Sequence, residues 1–162
     1  MKLLRLIVPV SMALLSLATL VSHAQEERGD NVLQWSWRIE PVAGARDEVD
    51  LVIDAQIRPG WILYSSDFAP TDFGPKRATI IINKADGTAV GDVRPIGMSR
   101  GTGKEPGREF VYTYFAGKAS LRQRVRQQED AHAISGVVSG QACLEESGLC
   151  TLVRQAFSVT VP

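Results

Sequence analysis

Helical periodicity, histidine and an excess of either charge are all scarce in this 162-residue sequence. Past the first 24 residues no segment sustains a 3.6-residue apolar period, which excludes a helix bundle or a doubly wound α/β fold. One of the two histidines, His23, precedes that point, so His132 stands alone after it. With one histidine and one pair of cysteines a zinc site lacks ligands, and no serine–histidine–acid set can be assembled. No metal or other cofactor is implied. The 18 basic residues balance the 18 acidic ones, which gives no footprint for nucleic acid. No second apolar run is long enough to span a membrane, so the processed chain is expected to be soluble.

What is present begins with an export signal. Lys2 and Arg5 form a basic start, Leu6 to Val21 is almost wholly apolar, and Ser22-His23-Ala24 offers small residues for cleavage. Residues 1–24 are read as a signal peptide and 25–32 as a flexible lead. Residues 33–162 form one domain, in a mature chain of about 138 residues with 16 basic against 18 acidic groups. A chain of that size builds a core without disulfide help.

The remaining pattern is β. Leu33, Trp35, Trp37 and Ile39 alternate with polar residues, as do Val49, Leu51, Ile53, Ala55 and Ile57. Arg58-Pro59-Gly60 breaks the second strand, and Trp61-Ile62-Leu63-Tyr64 follows as a short apolar segment. Ser65 to Lys76 reads as a loop. Ala78 to Ile82 is a β-branched run, and Lys84-Ala85-Asp86-Gly87 is a turn whose Asp-Gly readily takes positive φ. A weaker strand, Ala89 to Arg94, follows. Gly97 to Gly107 carries glycines and a proline and reads as loop. Phe110 to Phe115 reads as a strand buried on both faces.

Leu121, Gln123 and Val125 alternate with Arg122, Arg124 and Arg126. That arginine row reads as a solvated face that discourages edge pairing, in preference to a site for an anion or acidic partner. Ala133 to Ala142 and Leu152 to Val161 are the last strands. Seven to nine short strands with regular turns predict an all-β, immunoglobulin-like β-sandwich.

Cys143 and Cys150 are the only cysteines, and they flank the tip of the final hairpin. In an exported protein they are expected to form a disulfide. A staple closing about eight residues contributes at most ~2.5 kcal/mol, against ~4–5 kcal/mol for one bridging two sheets across a long loop. A hairpin tip is also open to a partner. Both points favour exchange chemistry, yet spacing leaves staple and redox centre as alternatives. Glu145 and Glu146 between the cysteines would disfavour a thiolate and a strongly oxidising couple, or act only as solvated turn residues.

Several landmarks occur in order: Trp35 and Trp37 on the first strand, Pro59-Gly60-Trp61-Ile62-Leu63-Tyr64, the aromatic strand Phe110 to Phe115, and Gly140-Gln141-Ala142-Cys143 … Cys150 before Phe157-Ser158-Val159. Over residues 33–162 this resembles the periplasmic amino-terminal domain of the thiol–disulfide interchange reductase DsbD, the disulfide bond corrector domain family. The resemblance implies an immunoglobulin-like sandwich in the periplasm that relays electrons by dithiol–disulfide exchange. Cys150 would form the mixed disulfide and Cys143 would resolve it. Trp61 and Tyr64 would line the site. Its partners would be thioredoxin-like redox proteins or a membrane electron donor on another chain.

By the same resemblance a cap loop would lie in Met98 to Arg108. That segment lacks the aromatic residue such a cap usually offers, and Thr151-Leu152-Val153 stands where prolines are common. The reading from another class is a non-catalytic immunoglobulin-like binding or assembly module with a structural hairpin disulfide.

Overall fold

The computed structural model describes residues 32–70, 72, 74–105 and 108–161. The predicted signal and nearly all of the predicted lead fall outside them. The described residues form ten strands and no helix: β1 (Leu33–Pro41), β2 (Glu48–Ile57), β3 (Trp61–Tyr64), β4 (Thr79–Ile82), β5 (Gly87–Pro95), β6 (Ser99–Glu105), β7 (Arg108–Ala116), β8 (Lys118–Gln127), β9 (Ala133–Leu144) and β10 (Cys150–Thr160). One sheet has the order β1-β2-β8-β5. The other runs β10-β9-β3-β7-β6, with β4 also paired to β9. The fold is the expected all-β, immunoglobulin-like sandwich of two antiparallel sheets.

The core follows from the alternation. Leu51, Ile53, Leu121 and Val125 from the first sheet meet Leu63, Phe115, Ile134 and Val138 from the second, all fully buried. Val32, placed by sequence at the end of the lead, is already in this core. Burying a side chain of this size contributes about 1.5–3 kcal/mol, so the sandwich rests on this layer.

Four expectations need correction. The arginines of β8 do not guard an edge, because β8 lies between β2 and β5. Nor are they merely solvated. Asp50 on β2 is buried and takes Arg124 Nε at 2.8 Å and Arg122 Nη1 at 3.0 Å. Arg122 also meets Glu40 at 2.7 Å, and Arg126 meets Glu48 at 2.7 Å. Cross-strand pairing of opposite charges turns this face into an ionic lattice. The hydrogen bond from Arg124, followed by that from Arg122, holds the Asp50 carboxyl below the usual carboxylate range, against its burial.

The segment read as loop between Gly97 and Gly107 contains β6, paired with β7 from Ser99↔Tyr114 to Glu105↔Arg108. Glycine is unfavourable in a strand for want of a side chain to pack. Here the Tyr112 ring lies over Gly101, where a Cβ would come within 2.6 Å of it. The neighbouring aromatic thus supplies the missing packing.

β7 is not buried on both faces. Thr113 and Phe115 face the core, whereas Val111 is exposed and Phe110, Tyr112 and Tyr114 are half-buried on the other face.

The Asp86-Gly87 turn forms, but without positive φ at either residue. It also joins strands of different sheets. Gly87 is needed there because a Cβ would sit 2.7 Å from the Arg126 carbonyl oxygen.

Candidate functional site

The last hairpin is built by local chemistry. β9 and β10 pair from Thr160↔Ala133 up to Cys150↔Cys143, so the cysteines face each other across the final rung. They form a disulfide with Cα atoms 4.1 Å apart. The turn is closed by Leu144 N–H donating to the Leu149 carbonyl (2.8 Å) and Gly148 N–H to the Leu144 carbonyl (2.9 Å). Gly148 takes φ +68°, which glycine adopts without strain.

A second turn braces the first. Trp61 N–H donates to the Arg58 carbonyl at 3.0 Å, with Pro59 and then Gly60 (φ +81°) between them. Proline followed by a positive-φ glycine is the pattern of a type II turn. The Gly60 carbonyl accepts Glu145 N–H at 2.9 Å, tying this turn to the cysteine hairpin. β3 then pairs with β9, and Ile62 lies opposite Cys143.

Strand alternation decides which face each residue takes. Ala142, Val153 and Phe157 are in the core, so Cys143 and Cys150 lie on the outer face of the six-stranded sheet. On β3, Trp61 and Leu63 join the core cluster, and Ile62 and Tyr64 fall on the outer face. Trp61, named from sequence as a lining candidate, therefore packs inward. Tyr64 is on the cysteine face, edge-on to Tyr112 with ring centroids 5.3 Å apart. Burial, and then the neighbouring Tyr112, push its phenol up. Glu145 and Glu146 are exposed on the turn.

The two sulfurs differ in environment. Cys143 is 4% exposed, whereas Cys150 is exposed. The expectation of an open hairpin-tip disulfide thus holds for one cysteine of the pair. The Cys150 sulfur lies 3.3 Å from the Gly148 carbonyl oxygen, an acceptor for its thiol proton in the reduced form.

Gln141, not singled out from sequence, acts on the buried partner. Its Oε1 accepts the Lys76 backbone N–H at 2.8 Å, and its Nε2 points at the Cys143 sulfur, 3.6 Å away. The Lys76 amide can only donate, which sets the side-chain amide with its NH₂ toward sulfur. The signal for this residue was the outer-face position two before Cys143. The contact with Lys76, 65 residues away, was invisible to any local pattern.

Of the expected cap segment Met98 to Arg108, residues 106 and 107 lie outside the described residues, and the described part runs as β6 along β7. Its ladder begins at Ser99↔Tyr114 and leads away from Ala116, the β7 residue level with Ile62 and Cys143. It is also three strand positions from β9, roughly 14 Å at the usual spacing. Pro75 to Thr79 reaches this part of β9, through Lys76–Gln141 and a 2.9 Å hydrogen bond between the Thr79 and Ser139 hydroxyls.

No protein-family model matches the chain, and no curated protein matches it in sequence. Solved structures are similar in shape. The N-terminal periplasmic domain of ScsB from Proteus mirabilis superposes with a TM-score of 0.54 at 14% identity, covering 81% of this chain and 47% of that one. The chain thus spans about half the length of that relative. The DsbD n-terminal domain of Neisseria meningitidis, in the reduced form, gives a TM-score of 0.47 at 17% identity, covering 78% of this chain and 85% of that one. The likeness to the ScsB domain is one of fold.

Proposed function

We propose that this chain is an exported thiol–disulfide interchange domain that relays electron pairs through Cys143 and Cys150. Residues 1–24 direct export, and residues 33–162 work in the periplasm without a cofactor. The observation that carries the reading is the asymmetry of the disulfide: Cys150 is an exposed residue, and Cys143 is a buried one beside a hydrogen-bond donor. A plain staple needs no such difference. The fold shared with a periplasmic ScsB domain supports the same reading, as does the residue-level resemblance to the DsbD amino-terminal domain.

The exchange follows from this geometry. A partner thiolate attacks Sγ of Cys150, the exposed cysteine of the pair, in line with the S–S bond. A new S–S bond forms to the partner, the Cys143–Cys150 bond breaks, and Cys143 leaves as a thiolate. The Gln141 amide donates to that thiolate as it forms, and a charge-assisted hydrogen bond is stronger than the one made to the neutral disulfide. Solvent then protonates Cys143. A second partner thiolate attacks its own sulfur in the mixed disulfide, releasing Cys150. The partner is oxidised to a disulfide, and this domain holds two thiols and the electron pair. The reverse sequence, with Cys150 attacking, passes the pair to an acceptor. Thioredoxin-like proteins and a membrane-bound donor are the partners this chemistry fits.

Removing one cysteine at a time tests the proposal. Cys143→Ala leaves an exposed thiol and should accumulate mixed disulfides in periplasmic extract, seen by non-reducing electrophoresis and mass spectrometry. Cys150→Ala leaves a buried thiol and should accumulate few. If neither variant traps a thioredoxin-like protein, and thioredoxin fails to reduce the wild-type bridge, a binding module with a structural disulfide takes the place of the relay.

A further inference from the structure

A groove of about 440 Å³ lies beside the cysteine hairpin, between Pro70, Pro75, Lys76 and Arg77 on one side and the β9–β10 ladder on the other. Pro70, Pro75 and Leu152 give it apolar walls, and Lys76, Arg77 and Arg154 give it positive charge. Its size suits a few side chains of a peptide better than the flank of a whole domain.

Two observations mark it out. The first is charge. Arg122, Arg124 and Arg126 on the opposite sheet are matched by Asp50, Glu48 and Glu40. Lys76, Arg77 and Arg154 make no ion pair with any described residue. Three cations with no ion pair among the described residues, gathered around one apolar groove, favour an acidic ligand there.

The second is position. Cys150, Leu152 and Arg154 alternate onto the same outer face, and their partners Cys143, Gln141 and Ser139 continue the rows on β9. Leu152 is 72% exposed, a large apolar side chain open to water one row from the disulfide. Arg154 lies four residues from Cys150, roughly 13 Å along an extended strand. Among the described residues β10 is an edge strand, so a partner segment can run beside it.

We propose that this groove docks an extended, acidic segment of the exchange partner, one carrying glutamate or aspartate about four residues from its reactive cysteine. The segment lays an apolar side chain on Leu152 and Pro75, sets its carboxylates among Lys76, Arg77 and Arg154, and so presents its sulfur to Cys150. The proposal rests on the thiol-exchange reading above. Exposed charges act more on encounter than on final affinity. The signature is therefore a faster, salt-sensitive exchange.

The test uses synthetic peptides with one central cysteine flanked on both sides by glutamates three to five residues away, and counterparts with glutamine at those positions. Reduction of the wild-type disulfide by the glutamate peptide at low salt should be roughly ten-fold faster than by the glutamine peptide, within the range of electrostatic steering. The advantage should vanish at high salt and in the double variant Lys76→Glu with Arg154→Glu. It should persist in Lys118→Glu, an exposed position on the opposite sheet. The thiolate of 2-mercaptoethanol, with a single charge, sets the baseline: the rate for the glutamate peptide divided by the rate for 2-mercaptoethanol should fall in the double variant and stay unchanged in Lys118→Glu.

Equal rates for both peptides, or an advantage that survives the charge reversal, would overturn the docking proposal. A cysteine-to-serine glutamate peptide with a fluorescent label reads binding by anisotropy without any exchange. If 2-mercaptoethanol fails to open the bridge, the redox reading fails, and the anisotropy still judges the groove.

Discussion

At the residue scale, the proposed exchange and the stability of the fold rest on different polar side chains. Gln141 Nε2 points at the Cys143 sulfur, and in the proposed exchange it donates to the leaving thiolate. Gln141→Leu removes that donor at nearly constant volume. Reduction of the disulfide by thioredoxin should slow about ten-fold, the equivalent of ~1.4 kcal/mol and within the range for a hydrogen bond to a charged group. Alkylation of Cys150 in the Cys143→Ala background should not change, because Cys150 does not contact the amide. Stopped-flow fluorescence and timed iodoacetamide labelling give the two readings.

Asp50 serves stability. Its lowered carboxyl pKa means that its contribution is fully present above the ordinary value of 3.8 and is lost as pH falls through the folded-state value. Asp50→Asn should cost about 2 kcal/mol at neutral pH. That is less than the loss of a fully buried ion-pair partner, because the arginines retain Glu40 and Glu48. The gap between wild type and variant in urea unfolding should narrow once the pH is below the folded-state pKa of Asp50.

Among the elements, β4 shows how close the packing is. It lies on β9 below β3, with Ile82 opposite Gly136. A Cβ at Gly136 would stand 2.1 Å from the Ile81 carbonyl oxygen and 2.8 Å from Phe157 Cζ. The backbone oxygen cannot move without breaking the ladder, so Gly136→Ala should detach β4 and cost roughly 2–4 kcal/mol. Hydrogen exchange should then rise at Thr79 to Ile82 before the rest of the sheet. β5 has its own device. Its register shifts between Val90 and Arg94, and the buried Gln123 amide donates to the Val90 and Gly91 carbonyls at 3.2 Å each. The bulge is thus satisfied from inside the core, as a buried polar group must be.

For the whole molecule the two sheets divide the labour. The four-stranded sheet carries the ionic lattice, and the six-stranded sheet carries the disulfide and the basic groove. At the open side between their first and last strands, Trp37 packs on Phe157 with centroids 6.1 Å apart, and its Nε1 donates to the Ser158 carbonyl at 2.9 Å. With the core spread over both sheets, the disulfide is a minor stabiliser. Cys143→Ala combined with Cys150→Ala should keep a single cooperative thermal transition by circular dichroism. The loss of stability should not exceed ~2.5 kcal/mol, the loop-entropy limit for so short a closure. Loss of the folded state would mark the bridge as structural.

The sequence by itself determined the fold class, most strand positions and the identity of the cysteine pair. Period-two alternation, Pro-Gly and Asp-Gly breaks and the scarcity of histidine are all local signals, legible without coordinates. Tertiary structure alone decided the rest. β6 was hidden because its Gly101 is compensated by Tyr112 on another strand. The arginine row could not be interpreted until β2 brought Asp50 beneath it and β5 closed the far side. Trp61 and Tyr64 looked alike as lining candidates, and pairing of β3 with β9 sent one inward and the other out. Gln141, Lys76 and the exposure of Cys150 gain meaning from contacts between residues far apart in the chain. Such contacts depend on which strands become neighbours, and strand order is set by the packing of the whole core.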